Sequence, residues 1–376
     1  MKKFFLGLFV VAFTFAPSAW AGPLDGMPRV LDPNNIYAAD SPNNFSDVVK
    51  KMPELVYVPN LQSATVSVIN PKTYKVIKTI KTRSGPQHVV PSWDLKTLWV
   101  NDNKGNYLTP IDPMTATPGK DVYVHDPYNL YFTPNGKYAV VMAESDHQIV
   151  FRDPHTMKIK KAVSVPCAGV NHADWSADGN YFIASCEFSG IVLKIDTVKM
   201  QVVGRASLLN KNVQTPMTHK NMKSPMPQDV KISPNGKTFY IADMASNGVW
   251  IMDANHFGKF DFLKTGRGAH GLYVTRDAKN LLITNRDEGS VSVMRFSDNA
   301  LIAKWKIPGG GSPDMGNISA DGKFFWVSGR YDDEVYVFNI EKGSFVTRIK
   351  VGKEPHGLTI WPQPGRYSLG HTGIMR

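Results

Sequence analysis

The sequence predicts an all-β protein, a seven-bladed β-propeller built from four-stranded antiparallel blades. Three observations predict this fold: a repeat of roughly 42 residues, a hairpin motif that recurs within it, and a count of seven for both the innermost and the third strands. Antiparallel strands repeated at such a period are typical of propellers. The composition fits a folded domain, because 42% of the 376 residues are hydrophobic and 20% are charged.

The repeat is clearest in seven short segments that each close an apolar run. Their last residues lie at positions 70, 112, 153, 196, 253, 295 and 339, at intervals of 42, 41, 43, 57, 42 and 44 residues. The segments read VSVIN, LTPID, IVFRD, IVLKID, VWIMD, VSVMR and VYVFN. An insertion at roughly residues 208–227 accounts for the one long interval.

The hairpin motif places Asn-Gly or Asp-Gly between two apolar runs, as in FTPNGKYAVV at 132–141 and ISADGKFFWVS at 318–328. Both turn residues tolerate positive φ, so the motif favours a tight hairpin. Asn-Pro or Asp-Pro then marks a second turn, for example at 70–73 and 112–115. Each unit therefore contains four antiparallel strands, here labelled a to d from the channel outwards.

Closure of the ring requires both ends of the repeat region. The last inner strand, at 357–361, has no partners after it, and the strands near 55–80 have no inner strand before them. One blade built from the N- and C-terminal strands removes the exposed sheet edges. We therefore expect a propeller at 55–361, an extended leader at 22–54 and a tail at 362–376. A closed ring predicts a monomer.

Residues 1–21 have the pattern of a secretory signal peptide, with Lys2 and Lys3, an apolar run and small residues up to Ala21. The apolar run is too short to span a bilayer, and no later segment is predicted to cross one. We expect a periplasmic protein that begins at Gly22. Removal of Lys2 and Lys3 would lower the formal charge from +11 to +9. The remaining lysines are too scattered along the sequence to indicate nucleic-acid binding.

Titratable residues are concentrated where strand a begins. That end of the blade and the corners between strands b and c should surround the mouth of the central channel. Imidazole and carboxylate groups bind Zn, Cu or Fe, and an axial histidine binds haem. The ligand or metal candidates are His88, His172, Asp229, His270, Asp314 and His356. The channel-mouth candidates are Glu144, His147, Arg286, Arg330 and His371.

The register of these candidates differs between blades. His88, His172 and Asp229 lie six residues before the hairpin Asp or Asn, whereas His270 and Asp314 lie seven before theirs. Adjacent strand residues face opposite ways, so register alone does not bring the two sets together. The alternative interpretation is that each group hydrogen-bonds the backbone of a neighbouring blade.

The insertion carries a second candidate site, since it reads TPMTHKNMKSPMP. Thioether and imidazole groups bind soft Cu(I). The soft-metal candidates are Met217, His219, Met222 and Met226. The alternative is a basic surface loop whose methionines cover the channel mouth as a lid.

Two further segments invite a structural prediction. Cys167 and Cys186 are expected on the channel face of one blade, where they either form a disulfide or remain inert thiols. The tail replaces the Asp-Gly hairpin with Pro362-Gln363-Pro364. It is predicted to clamp the closing blade, and a specific role at the channel mouth is the alternative.

The segments YVPNLQSATVSVIN (57–70) and LLITNRDEGSVSVMR (281–295) resemble the repeat of the YVTN-type β-propeller family, and the resemblance covers roughly 55–361. It implies a seven-bladed propeller. The repeat is also similar to the haem-binding propeller of cytochrome-type nitrite reductases and of periplasmic proteins that assemble that haem. Such a resemblance implies fold more than function.

The leading functional hypothesis is a periplasmic binding or assembly protein that holds a small ligand, a metal ion or a protein partner at the channel face. The alternative is an oxidoreductase or cofactor-maturation protein with a copper ion or a haem-like tetrapyrrole. A third hypothesis is a structural scaffold. We predict no catalytic residue and favour a binding protein over an enzyme. Motifs of hydrolases and of covalent c-type haem are lacking.

Overall fold

A computed structural model describes residues 22–209 and 224–376. The predicted signal peptide and three of the soft-metal candidates, Met217, His219 and Met222, lie outside the described residues. Within the described ranges, no helix is both long and apolar enough to cross a membrane.

The described chain forms seven antiparallel sheets arranged as blades, which confirms the predicted seven-bladed propeller. Strands are numbered in chain order. Blade 1 contains β1 (Leu55–Asn60), β2 (Thr65–Asn70), β3 (Lys75–Lys81) and, innermost, β29 (Thr359–Trp361). Blade 2 contains β4 (Pro86–Pro91), β5 (Leu98–Asp102), β6 (Tyr107–Asp112), β7 (Thr117–Pro118) and β8 (Val122–Tyr123). Blade 3 contains β9 (Asn129–Phe132), β10 (Ala139–Ala143), β11 (Gln148–Arg152) and β12 (Ile159–Ser164).

The other four blades follow the same order from the channel outwards. Blade 4 contains β13 (Val170–Trp175), β14 (Tyr181–Cys186), β15 (Ile191–Asp196) and β16 (Gln201–Ser207). Blade 5 contains β17 (Pro227–Ile232), β18 (Thr238–Asp243), β19 (Gly248–Asp253) and β20 (Phe260–Lys264). Blade 6 contains β21 (Ala269–Val274), β22 (Asn280–Asn285), β23 (Ser290–Arg295) and β24 (Leu301–Lys306). Blade 7 contains β25 (Pro313–Ile318), β26 (Phe324–Gly329), β27 (Glu334–Asn339) and β28 (Ser344–Lys350).

Closure of the ring uses both ends of the repeat region, as predicted. β29 pairs antiparallel with β1 and places Trp361 opposite Leu55 and Thr359 opposite Tyr57. The inner strands are buried along almost their whole length, whereas β16 alternates between half-buried and exposed residues. Apolar side chains fill the space between adjacent blades, and the contact of Tyr131 in blade 3 with Trp175 in blade 4, at 5.8 Å between ring centroids, is an example. The hydrophobic core therefore lies between blades and leaves the channel to polar groups.

The leader runs across the hairpins between strands a and b, on the face opposite the channel mouth. Its backbone N–H groups donate to carbonyls of three of these hairpins: Leu24 to Asp178 at 2.8 Å, Ile36 to Pro234 at 2.8 Å and Asn43 to Ala320 at 2.9 Å. Its only regular element among the described residues is a 3-10 turn at Ala38–Asp40; a second such turn lies at Glu187–Ser189. The leader therefore covers part of that face.

The tail enters the channel from the same face as a narrow hairpin. Ser368 pairs antiparallel with Met375, and the tip lies beside β9, where the His371 N–H donates to the Leu130 carbonyl at 2.8 Å. Gly370 has φ of +94°, and a Cβ there would lie 2.5 Å from the Leu130 oxygen, so only glycine fits this approach. Insertion of the tip brings a tail histidine to the level where the inner strands begin.

Candidate functional site

A β-bulge at the start of the inner strand shapes the channel in blades 2, 4, 5, 6 and 7. Two residues of each bulge lie opposite one residue of strand b, so successive side chains can both face the axis. His88 and His172 are the second bulge residues of their strands, and His270 and Asp314 are the first of theirs. The one-residue difference in register therefore does not separate the two sets.

Five histidines converge near the axis of the channel. All are buried, and their ring centroids lie 4.8 to 6.3 Å from one another in the closest pairs. They are His88, His172, His270, His356 and His371. Burial lowers the pKa of each ring below its usual range, so the imidazoles are neutral at pH 7.

Three of these histidines form a compact group, which we term the imidazole triad. One ring nitrogen each of His88, His172 and His371 lies within 4.8 Å of the other two. The first two project from β4 and β13, and the third comes from the tip of the tail. All three residues are fully inaccessible to solvent.

The Nδ1 atom of each triad histidine is held by a neighbour. His88 Nδ1 lies 3.0 Å from the Tyr128 carbonyl of the adjacent blade, and His172 Nδ1 lies 3.0 Å from Asn171 Oδ1. Both partners are acceptors here, because Asn171 uses its amide N–H groups on two glutamates. The neutral rings of His88 and His172 therefore carry their proton on Nδ1 and leave a lone pair on Nε2.

His371 is held in the opposite sense. Asn129 Oδ1 accepts from the Leu130 N–H at 2.9 Å, which orients its amide so that Nδ2 lies 3.0 Å from His371 Nδ1. The Asn129 side chain donates, so the neutral ring carries its proton on Nε2. That Nε2 lies 3.7 Å from Asp229 Oδ1.

Four Nε2 atoms have no hydrogen-bond partner within the described part of the chain: those of His88, His172, His356 and His371. Buried polar atoms in native proteins are nearly always hydrogen-bonded, and each orphan has an energetic cost. Four such atoms in one small region indicate a place for a ligand or for ordered water.

A second group surrounds a single carboxylate, and we term it the Asp314 cluster. His356 Nδ1 lies 2.6 Å from Asp314 Oδ2, and His270 Nδ1 lies 3.1 Å from Oδ1. Arg286 Nη1 lies 3.1 Å from Oδ1, and Arg330 Nη1 lies 3.8 Å from Oδ2. Burial alone would raise the pKa of Asp314, but the charge of Arg286 and the hydrogen bond from His356 hold it well below its usual range. The carboxylate is therefore ionised.

The channel mouth above these groups is lined by carboxylates and guanidinium groups. Asn171 Nδ2 donates to Glu187 Oε2 at 2.7 Å and to Glu144 Oε1 at 3.3 Å, which links both glutamates to His172. Burial and the proximity of Glu187 raise the pKa of Glu144 to about 8. On the other side, Arg286 Nη2 lies 2.6 Å from the Met244 sulfur.

Asp229 lies beside the triad, but both of its carboxylate oxygens already accept hydrogen bonds from the backbone. Asp229 accepts the N–H groups of Val230 and Leu272, both at 2.9 Å, and Leu272 belongs to the next blade. Asp229 therefore shows the arrangement of the alternative interpretation, in which a side chain bonds a neighbouring blade. His147 is exposed on the rim, and Met226 is buried against Met244.

Cys167 and Cys186 are joined by a disulfide, with their Cα atoms 6.1 Å apart. This bond connects the start of blade 4 to the corner that carries Glu187. The disulfide thus stabilises the corner that supports Asn171 and, through it, His172.

Sequence reasoning missed the residues that orient the imidazoles. Asn129 and Asn171 occupy the same strand positions as the histidines, and that alignment is the signal that could have identified them. The contacts of Arg376 were not predicted either: its Nη2 lies 2.9 Å from Asp174 Oδ1, and its guanidinium lies 4.5 Å from the Tyr37 ring centroid. This buried contact fixes the tail beneath the triad.

Fold and site together define a seven-bladed propeller with a buried set of imidazoles on its axis. Residues 18–364 match the family described as YNCE-like beta-propeller, and the chain belongs to that family. No curated protein matches the sequence.

Several solved structures share the fold. The hydrazine synthase of Kuenenia stuttgartiensis is 18% identical with a TM-score of 0.63, over 78% of this chain and 97% of that one. A functionally unknown protein from Desulfotomaculum acetoxidans is 15% identical with a TM-score of 0.66, over 81% and 98%. The dihydro-heme d1 dehydrogenase NirN, in complex with DHE, is 11% identical with a TM-score of 0.60, over 85% and 76%. At these identities the likeness shows the fold alone.

Proposed function

We propose that this protein is a periplasmic binding protein that holds a small ligand in its channel through imidazole nitrogens. The observation that carries the proposal is the set of four buried Nε2 atoms without a partner in the described chain. A ligand that forms hydrogen bonds with these nitrogens, or that they coordinate, would remove the energetic cost of leaving them unpaired.

Two observations support the compartment. The first 21 residues have the charge and hydropathy pattern of a signal peptide. A disulfide between Cys167 and Cys186 is typical of proteins that fold in an oxidising environment such as the periplasm.

The two faces of the ring differ, and this difference indicates the side from which a ligand would enter the channel. The leader and the tail cover the face where the hairpins lie, and the tail occupies the channel from that side. The mouth carries Glu144, Glu187, Arg286 and Arg330, which are polar groups able to meet a hydrated or charged ligand. We therefore expect the ligand to enter at the mouth.

Native mass spectrometry of the protein purified from the periplasm of its own host tests this proposal. The native mass should exceed the denatured mass, by tens of daltons for a metal ion or by several hundred for a tetrapyrrole. The excess should decrease in a His88→Gln variant and persist in His155→Gln, a matched change at an exposed outer turn. Equal native and denatured masses would contradict the proposal and favour the scaffold hypothesis with a protein partner.

A second candidate is an oxidoreductase or cofactor-maturation protein that binds a haem-like tetrapyrrole. The likeness in fold to NirN in complex with DHE favours it, together with histidines able to act as axial ligands. The resemblance to YVTN-type repeats and to the haem-binding propeller of nitrite reductases stays a prediction. A visible absorption spectrum of the host-purified protein tests this candidate, since a tetrapyrrole gives intense bands and a metal held by imidazoles does not.

A further inference from the structure

The geometry points to a binding site for one divalent first-row transition ion, Zn²⁺ or Cu²⁺, formed by His88, His172 and His371. One ring nitrogen of each lies within 4.8 Å of the others. This inference rests on the proposed function and names the ligand class. It assigns the third ligand to the tail, which enters from the opposite face.

The spacing fits a site that contracts on binding. Imidazole nitrogens lie about 2.0 to 2.1 Å from a tetrahedral Zn²⁺, which places neighbouring nitrogens about 3.4 Å apart. The triad nitrogens are up to 4.8 Å apart, so each ring would move by roughly 1 Å. Three ligands also leave the fourth position free for water or for an exchangeable ligand.

Two of the three rings already have the orientation that a metal requires. Metal-binding histidines usually donate their other N–H to a carbonyl or carboxylate, which fixes the ring and its tautomer. The Tyr128 carbonyl does this for His88, and Asn171 Oδ1 does it for His172, each at 3.0 Å. The Nε2 atoms of both rings are buried and lack a hydrogen-bond partner in the described chain, so their lone pairs are available.

The third ring is oriented by Asn129, which lies 3.0 Å from His371 Nδ1. For Nε2 of a neutral His371 to bind an ion, the ring proton would move from Nε2 to Nδ1, and the Asn129 amide would turn so that Oδ1 accepts it. Asp229 Oδ1, 3.7 Å from that nitrogen, supplies negative charge next to the ion. The site therefore combines three neutral ligands with one nearby carboxylate, whose other oxygen lies 4.0 Å from Lys231 Nζ.

The donor set decides the class of metal. Mg²⁺ and Ca²⁺ prefer oxygen ligands, whereas imidazole suits Zn²⁺ and Cu²⁺. No thiolate is available among the described residues, because both cysteines are in the disulfide. A site made of imidazoles alone thus selects borderline divalent ions over hard ones.

The Asp314 cluster and the insertion are the competing positions. Arg286 and Arg330 lie beside Asp314 at 3.1 and 3.8 Å, so a cation there would meet two positive charges. The Met/His insertion offers soft ligands for Cu(I), which makes His219 the informative residue for comparison. The two positive charges argue against the Asp314 cluster, and the His219→Gln variant separates the insertion from the triad.

The experiment uses the exported chain, residues 22–376, dialysed against a chelator and titrated with Zn²⁺ by calorimetry. We expect one ion per chain. His371→Gln and His172→Gln should each weaken binding by more than about 100-fold, since losing even an outer partner of a ligand costs 10- to 100-fold. His155→Gln and His219→Gln should bind as the unaltered protein does. Co²⁺ should give the visible bands of tetrahedral coordination and lose them in His371→Gln.

Two outcomes would overturn the inference. One is the absence of Zn²⁺ binding, and the other is unchanged affinity in His371→Gln with loss in His219→Gln, which would locate the metal in the insertion. Circular dichroism and thermal melting confirm that each variant folds, and His172→Gln provides an independent test if His371→Gln does not. A host-derived mass excess without Zn²⁺ binding would overturn this inference and leave the proposed function intact. Zn²⁺ binding without any native mass excess would support the triad and contradict the proposed function.

Discussion

The imidazole triad and the Asp314 cluster lie side by side in one channel, with the His88 and His356 ring centroids 4.8 Å apart. They differ in what holds Nδ1. In the triad the partners are a carbonyl and side-chain amides, which are neutral. In the Asp314 cluster the partner is an ionised carboxylate that two arginines also contact.

This difference separates stability from binding. The Asp314 cluster is charge-paired without any ligand, so removing one partner would leave buried charges uncompensated. In the triad, a single hydrogen bond holds each neutral ring. The energetic cost of the triad lies in its buried Nε2 atoms, which have no hydrogen-bond partner in the described chain. We therefore expect substitutions in the Asp314 cluster to lower the stability of the fold. Substitutions around the imidazole triad should lower the affinity for the ligand.

The largest expected effect is that of Asp314→Asn. The substitution leaves the buried Arg286 and the partly buried Arg330 without their carboxylate, and breaking a buried ion pair costs about 3 to 5 kcal/mol. Urea denaturation followed by tryptophan fluorescence measures the change in the free energy of unfolding. The matched control is Asp298→Asn, which breaks an exposed pair with Arg295 and should cost less than about 1 kcal/mol. Equal effects at the two positions would eliminate the distinction between the groups.

The next effect is a pH dependence of stability. Burial lowers the pKa of His356 to about 4, although Asp314 opposes the shift, whereas the unfolded chain titrates near 6.5. The unfolded state therefore binds the proton first as pH falls. The contribution of His356 is complete above pH 6.5 and is lost between about 6.5 and 4, by up to about 3 kcal/mol.

Urea midpoints measured from pH 7 to pH 4 check this pH dependence. The other four buried histidines shift in the same direction, so the wild-type slope should be steep. His356→Gln should reduce the slope by up to about 1.4 kcal/mol per pH unit. The exposed His256→Gln variant is the matched control. An unchanged slope in His356→Gln would show that this ring does not titrate as its burial requires.

The smallest effect concerns Asn171, which orients His172 and contacts Glu144 and Glu187. Asn171→Ala should weaken Zn²⁺ binding by 10- to 100-fold, because it removes an outer partner of a ligand. Its cost in stability should be only about 1 to 3 kcal/mol, from groups left unpaired. Calorimetric titration and thermal melting measure the two quantities, with the exposed Asn255→Ala as control. A loss of stability as large as that of Asp314→Asn would assign Asn171 to the structural group.

The fold could be predicted from sequence because its signals are local and repeated. Turn residues and alternating apolar positions recur in each blade, and the count of strands then determines the closure. The site depends on features without such signals. The bulge that turns His270 and Asp314 towards the axis is a local departure from strict alternation, so the sequence pattern indicated a conflict of register where none exists.

The tail was harder to predict, because its position depends on contacts far along the chain. His371 reaches Asn129, 242 residues earlier, and Arg376 reaches Asp174, 202 residues earlier. No periodicity connects such residues. Its candidate histidine was placed at the mouth for lack of that information, whereas the structure brings it into the triad from the opposite face.

Insertion of the tail sets an order of assembly for the channel. During synthesis from the N-terminus, blades 2 to 7 can form as their strands become available. Blade 1 can be completed only once β29 is present, and the triad only once His371 is present. The segment from β29 to the tail, which follows every other blade strand in the sequence, therefore completes both the ring and the candidate ligand set. A chain that stops before residue 359 would lack both β29 and His371, so the ring and the triad would be incomplete together.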